Sequence, residues 1–106
     1  MSKNIDHEVM MALASYIIDE IGPKFTNEVG EMLGKDGIEY AITIVIQYIS
    51  NTIVIIGIDN NAIKVAIPNE STASMYHVNI ADPESCDNVI QKIKDACDGY
   101  VRNFRG

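Results

Sequence analysis

Residues 42–58 read ITIVIQYISNTIVIIGI, and how that stretch folds decides the rest of the chain. It is long and apolar enough to suggest a membrane span, but Gln47, Ser50, Asn51 and Thr52 interrupt it, and its β-branched alternation belongs to strands. From Ile38 onward the pattern has period two. Ile38, Tyr40, Ile42, Ile44, Ile46 and Tyr48 fall on one side of a strand, and Glu39, Ala41, Thr43, Val45, Gln47 and Ile49 on the other. Ser50-Asn51 is the expected first turn and Asp59 to Asn61 the second, because Asn tolerates the left-handed backbone that hairpins demand. Residues 38–67 therefore predict a three-stranded antiparallel meander.

With turns centred on Ser50-Asn51 and Asn60-Asn61, Tyr48 opposes Ile53 and Ile58 opposes Ile63. One face then gathers Val45, Ile49, Val54, Ile56, Ile58, Ile63, Val65 and Ile67. The other gathers Ile42, Ile44, Ile46, Tyr48, Ile53 and Ile55, turning mixed at Lys64 and Ala66. A one-residue slip would exchange these sets and leave both faces apolar. Each large side chain left in water forfeits about 1.5–3 kcal/mol, so a second apolar face needs a cover. Helices on both faces would provide one. The favoured alternative is self-association as a homodimer, with the first hairpin, through Ile42, Ile44, Ile46, Tyr48, Ile53 and Ile55, or an edge strand as the contact, since three modest helices barely suffice for both faces.

Working outward, Val9, Leu13, Tyr16, Ile17 and Ile21 recur at helical spacing behind Asn4 or Asp6 as cap, and Gly22-Pro23 ends that helix. A second short helix is expected from Phe25, Val29, Met32 and Leu33, with Gly34 as its terminator. Beyond the meander, residues 68–74 read as a loop and MYHVNIA at 75–81 as a fourth strand. Asp82 and Pro83 then open a helix whose apolar stripe runs through Cys86, Val89, Ile90, Ile93, Cys97, Tyr100, Val101 and Phe104. The expected architecture is a single α+β domain over 1–106, order α-α-β-β-β-β-α: a four-stranded antiparallel meander with an N-terminal broken helical pair and a C-terminal amphipathic helix.

Composition narrows the function classes. With 47% hydrophobic and 22% charged residues in 106, the chain has the make-up of an ordinary globular domain. Asp6 and Glu8 stand where a signal peptide would be apolar, so a cytoplasmic protein is expected, with no membrane partner. Cys86 and Cys97 on one helix lie roughly 16 Å apart at 1.5 Å per residue, too far to bridge, and read as core residues. His7 and His77 stand far apart in sequence, and the DHE run at 6–8 points its side chains in different directions. No catalytic set, metal site or cofactor motif emerges, and the expectation is a protein that is not an enzyme. Fifteen acids against eight bases, net −7, oppose direct nucleic-acid binding.

The acidity is concentrated. Residues 1–40 hold eight acids against three lysines, whereas the remainder is close to balanced. On the expected N-terminal helices, Asp19, Glu20, Glu28 and Glu31 would steer and dock a basic surface of another protein, such as a nucleic-acid-binding one. Small acidic domains without catalytic residues are the form that inhibitors, immunity proteins and phage or mobile-element anti-defence proteins (anti-CRISPR-like or anti-restriction) often take. The leading expectation is therefore a protein-binding module acting by occlusion. The alternative is a ligand-binding or regulatory subunit holding a small molecule between helix and sheet near Tyr40, Tyr48 and Tyr76.

Overall fold

The computed structural model describes residues 3–33, 40–59 and 61–104, with side chains over 7–31, 42–59 and 61–104. The elements are α1 (Lys3–Ile21), β1 (Thr26–Leu33), β2 (Tyr40–Tyr48), β3 (Asn51–Ile58), β4 (Ala62–Ile67), β5 (Thr72–His77) and α2 (Asp87–Asn103), with short 3-10 turns at Pro68–Glu70 and Pro83–Cys86. The fold is α+β. Five strands form one antiparallel sheet in the order β1-β2-β3-β4-β5, and both helices feed one core against a single face of it.

Two features differ from the sequence expectation. Among the described residues there is one N-terminal helix, not a broken pair, and there are five strands, not four. TNEVGEML at 26–33 forms strand β1 against β2. A helix of this length is marginal alone, and Gly30 in its middle costs about 1 kcal/mol relative to Ala. As a strand, the same segment satisfies the edge of β2 that would otherwise be open. Gly34 and the strand start at Ile38 lie outside the described residues.

The first helix ends where expected. Gly22 takes a φ of 100 and its N–H donates to Ile18 O at 3.2 Å, a left-handed cap that suits glycine. Its start is earlier than expected, at Lys3, ahead of both Asn4 and Asp6. Its buried face is Met10, Leu13, Ala14 and Ile17, with Val9, Tyr16 and Ile21 half-buried beside it. The last helix keeps its stripe: Val89, Ile90, Ile93 and Cys97 are buried, Cys86 is buried in the 3-10 turn before it, and Tyr100 and Val101 pack at the margin. Asp82 caps the preceding 3-10 turn, its Oδ1 accepting from Glu84 N–H at 3.2 Å.

The larger correction concerns register. The first turn is Ile49-Ser50, with φ of 48 and 68, so Tyr48 pairs with Asn51 and Gln47 with Thr52. Ile46 then pairs with Val54, leaving Ile53 as the extra residue of a bulge. Beyond the bulge Ile44 faces Ile56 and Ile42 faces Ile58. The core side of the sheet is thus Ile42, Ile44, Ile46, Val54, Ile56, Ile58, Ile63 and Val65, joined by Ile53, which the bulge turns inward. Four of the six residues expected at a self-association face, Ile42, Ile44, Ile46 and Ile53, are at most 1% exposed beneath the protein's own helices. Tyr48 is half-buried among aromatic rings, with Phe25 at 5.6 Å and Phe104 at 5.3 Å between centroids. Ile55 alone belongs to the opposite side. That side, with Thr43, Val45, Gln47, Ile55, Gly57, Lys64 and Ala66, is far less apolar than either face expected from the sequence.

The turn carries strain, because a β-branched residue at positive φ crowds its Cβ against the backbone. Replacing Ile49-Ser50 by Asn-Gly supplies the pair that a two-residue turn of this hand prefers. Ile49→Asn combined with Ser50→Gly should stabilise the protein by about 1–2 kcal/mol, read as a higher urea midpoint. A turn centred one residue later would show no gain.

Candidate functional site

The structure scatters the four acids proposed to meet a partner. Asp19 and Glu20 lie in the last turns of α1, whereas Glu28 and Glu31 belong to β1. Three residues apart on a strand, Glu28 and Glu31 point to opposite sides of the sheet. Glu31 opposes Ile42 on the helix side and Glu28 opposes Val45 on the other. Glu20 turns toward α2, where Lys94 Nζ approaches its Oε1 at 3.7 Å. Glu31 Oε1 lies 3.0 Å from His7 Nε2. The four therefore make no single acidic helix face.

What the fold builds in their place is a seam between α1 and β1. α1 lies over β2, and β1 projects beyond it as the edge strand. His7, Met11 and Ile18 share one stripe of α1, by the 3.6-residue period, and the contact of His7 with Glu31 shows that this stripe faces β1. Met11 and Ile18 are half-buried there. Val29 opposes Ile44 from the helix side of β1, yet it is 41% exposed. At the other end of the seam Ile18, Asp19, Gly22, Pro23, Phe25 and Asn27 line a depression of about 270 Å³. The seam thus has an apolar floor, with Asp19 at one end and Glu31 with His7 at the other. Val29 carried no such signal in the sequence, since on a helix it would have been one more core residue.

A second depression, of about 290 Å³, lies where α2 meets the ends of β3 and β4. Ile53, Ile67, Glu70, Asp95, Tyr100 and Asn103 are among its walls. The tyrosines expected around a ligand do not converge on it. Tyr48 sits in the aromatic cluster with Tyr100, centroids 6.3 Å apart, and Tyr76 opposes Ile63, in the row of Ile58 and Ile42 at the far end of the sheet from the first turn. The Tyr40 side chain lies outside the described residues.

Other groups with chemical potential are structurally engaged. Tyr16 donates to Asp87 Oδ1 at 2.9 Å, which, with the nearby negative charge, raises its pKa above 10.0. Burial raises the Cys86 thiol, whose Sγ lies 3.7 Å from the carbonyl oxygens of Asn79 and Asp82. Cys97 is pushed up to about 12, chiefly by burial and then by the charge of Asp98. Neither is placed to be a thiolate nucleophile at neutral pH. His77 is exposed on β5. Among the described residues no group of three or more His, Cys, Asp or Glu could hold a metal ion, and no helix is long and apolar enough to cross a membrane. Compared with protein-family models, with curated proteins and with solved structures, the chain finds no match.

Proposed function

We propose that this chain is a small acidic protein-binding module that acts by occluding a basic surface of a partner protein, without catalysis, in the manner of inhibitors, immunity proteins and anti-defence proteins. The observation that carries the reading is the seam between α1 and β1. Val29, an apolar residue 41% exposed on the helix side of the sheet, stands on β1 between Glu31, which meets His7 of α1, and Asn27, which lines a depression with Ile18 and Asp19. An apolar anchor inside a charged rim is the anatomy of a protein interface. The net charge of −7 sets the sign of the partner and speeds the encounter.

The test is affinity capture from the source cell with the wild-type chain, Val29→Asp and Glu31→Lys side by side, followed by kinetics on the captured protein. Glu31→Lys should slow association by roughly tenfold and flatten its salt dependence, while Val29→Asp should mainly accelerate dissociation. A partner that binds all three chains equally well, or one whose binding surface is acidic, would sink this reading.

A second reading, a small molecule held between helix and sheet, is favoured by the depression beside Tyr100. A metabolite that raises the melting temperature of the wild type, and not of Ala96→Trp in that depression, would support it over protein binding.

A further inference from the structure

The two edges of the sheet are protected unequally. Natural sheets blunt their edges with charges, prolines, bulges or covering elements. Edge β1 carries Glu28 and Glu31, which repel a second copy. Edge β5, TASMYH, has no Asp, Glu, Lys, Arg or Pro and no shift in its register with β4, in a chain of net charge −7. Five of its six residues are exposed. Thr72 and Ser74, on the side where the helices pack, are among them, because α2 lies over β3 and β4 and stops short of β5. β5 ends the strand order and is paired on one side, with β4.

The free backbone groups of this edge can be identified. Val78 N–H donates to Asn61 O at 3.0 Å, and bonded pairs alternate along an antiparallel ladder. Following the register Ile63 with Tyr76, Val65 with Ser74 and Ile67 with Thr72, those β5 residues turn their N–H and C=O groups toward β4. The N–H and C=O groups of Ala73, Met75 and His77 turn away from it, into solvent.

We propose that two copies of this chain join through β5, antiparallel about a two-fold axis at Met75, so that the two sheets run on as one. In that register Met75 faces the partner's Met75 and Ala73 faces the partner's His77, and every outward N–H and C=O of the three residues is paired. A shift by two residues one way brings Ser71 opposite the partner's His77, and Ser71, with φ 56, has left the strand. A shift the other way places Ala73 opposite the partner's Asn79, beyond the end of β5. No acid meets an acid at the junction, and the apolar Met75, 50% exposed in the single chain, gains a cover. A junction of one short strand buries less than the ≈1,200 Å² of the smallest stable specific interfaces, so the dimer is weak, with a dissociation constant on the order of 100 μM.

Sedimentation equilibrium of the full chain tests this. The expected result is a mass that rises with concentration from 11.7 kDa toward twice that value. Met75→Pro deletes an outward N–H without touching a bond to β4, and Met75→Lys places two cations against each other at the axis. Each should weaken the dimer at least about tenfold; circular dichroism reports whether the fold is kept, and Met75→Lys carries the test if the proline variant unfolds. A wild-type chain that stays at 11.7 kDa at several times that dissociation constant overturns the proposal. So does a dimer that Met75→Lys leaves intact. The inference does not depend on the seam, and Val29→Asp and Glu31→Lys should dimerise as the wild type does.

Discussion

Ile44→Ala lowers the free energy of unfolding by about 2–5 kcal/mol, while Val45→Thr, one residue along the same strand, stays within about 1 kcal/mol. Ile44 is 0% exposed at the centre of the helix-covered face, between Val29 and Ile56. Truncating it removes buried area and leaves a cavity that neighbouring isoleucines, held by the sheet, fill poorly. Val45 points to the opposite side, half-exposed between Glu28 and Ile55, where a threonine keeps the β-branched shape and meets water. Against the 5–15 kcal/mol that stabilises an ordinary domain, the first change takes a large share and the second a small one. Urea unfolding followed by far-ultraviolet circular dichroism reads both. Had the first hairpin closed at Ser50-Asn51, Val45 would be the core residue and the two effects would change places.

Cys97 reacts with a thiol reagent at least about 10³-fold more slowly than a free thiol, since it becomes accessible only when the chain opens. Its side chain is 1% exposed on the core stripe of α2. Burial first, and then the charge of Asp98, push its pKa up to about 12, from an ordinary thiol's 9.0. The unfolded chain releases this proton at lower pH than the folded one does. Stability from keeping Cys97 neutral is therefore fully present below about pH 9 and is lost as the pH rises toward about 12. Labelling in increasing urea should follow the same transition as circular dichroism, and Cys97→Ser should remove part of the alkaline loss. Rapid labelling of Cys97 in native buffer would place α2 off the sheet.

Local chemistry made some of these elements legible in advance. The strands β2, β3 and β4 declared themselves through alternation and β-branching, the end of α1 through Gly22-Pro23, and, through Asp82-Pro83, the 3-10 turn that precedes the start of α2 at Asp87. Those signals act within a few residues, so no distant partner was needed to read them. TNEVGEML was another matter. Its apolar residues fit a helix about as well as a strand, and only the unpaired edge of β2 tips the balance. The seam inherits that difficulty. Val29, Glu31 and His7 come together because β1 pairs with β2 while α1 crosses over β2, and no spacing in the sequence encodes that meeting.

By itself, then, the sequence determined a meander of isoleucine-rich strands, the helices that begin and end the fold, and the excess of acid in the first forty residues. Only the tertiary structure decided which isoleucines are core. The turn at Ile49-Ser50 and the bulge at Ile53 set a register that differs by one residue from the one the turn residues favour. It puts Ile42, Ile44 and Ile46 together with Val54, Ile56 and Ile58 under two helices, and leaves a mixed face outside. The physical reason is that period-two alternation specifies which residues travel together, but not which way they point. Burying all six beneath the helices outweighs the strain of an isoleucine in a left-handed turn.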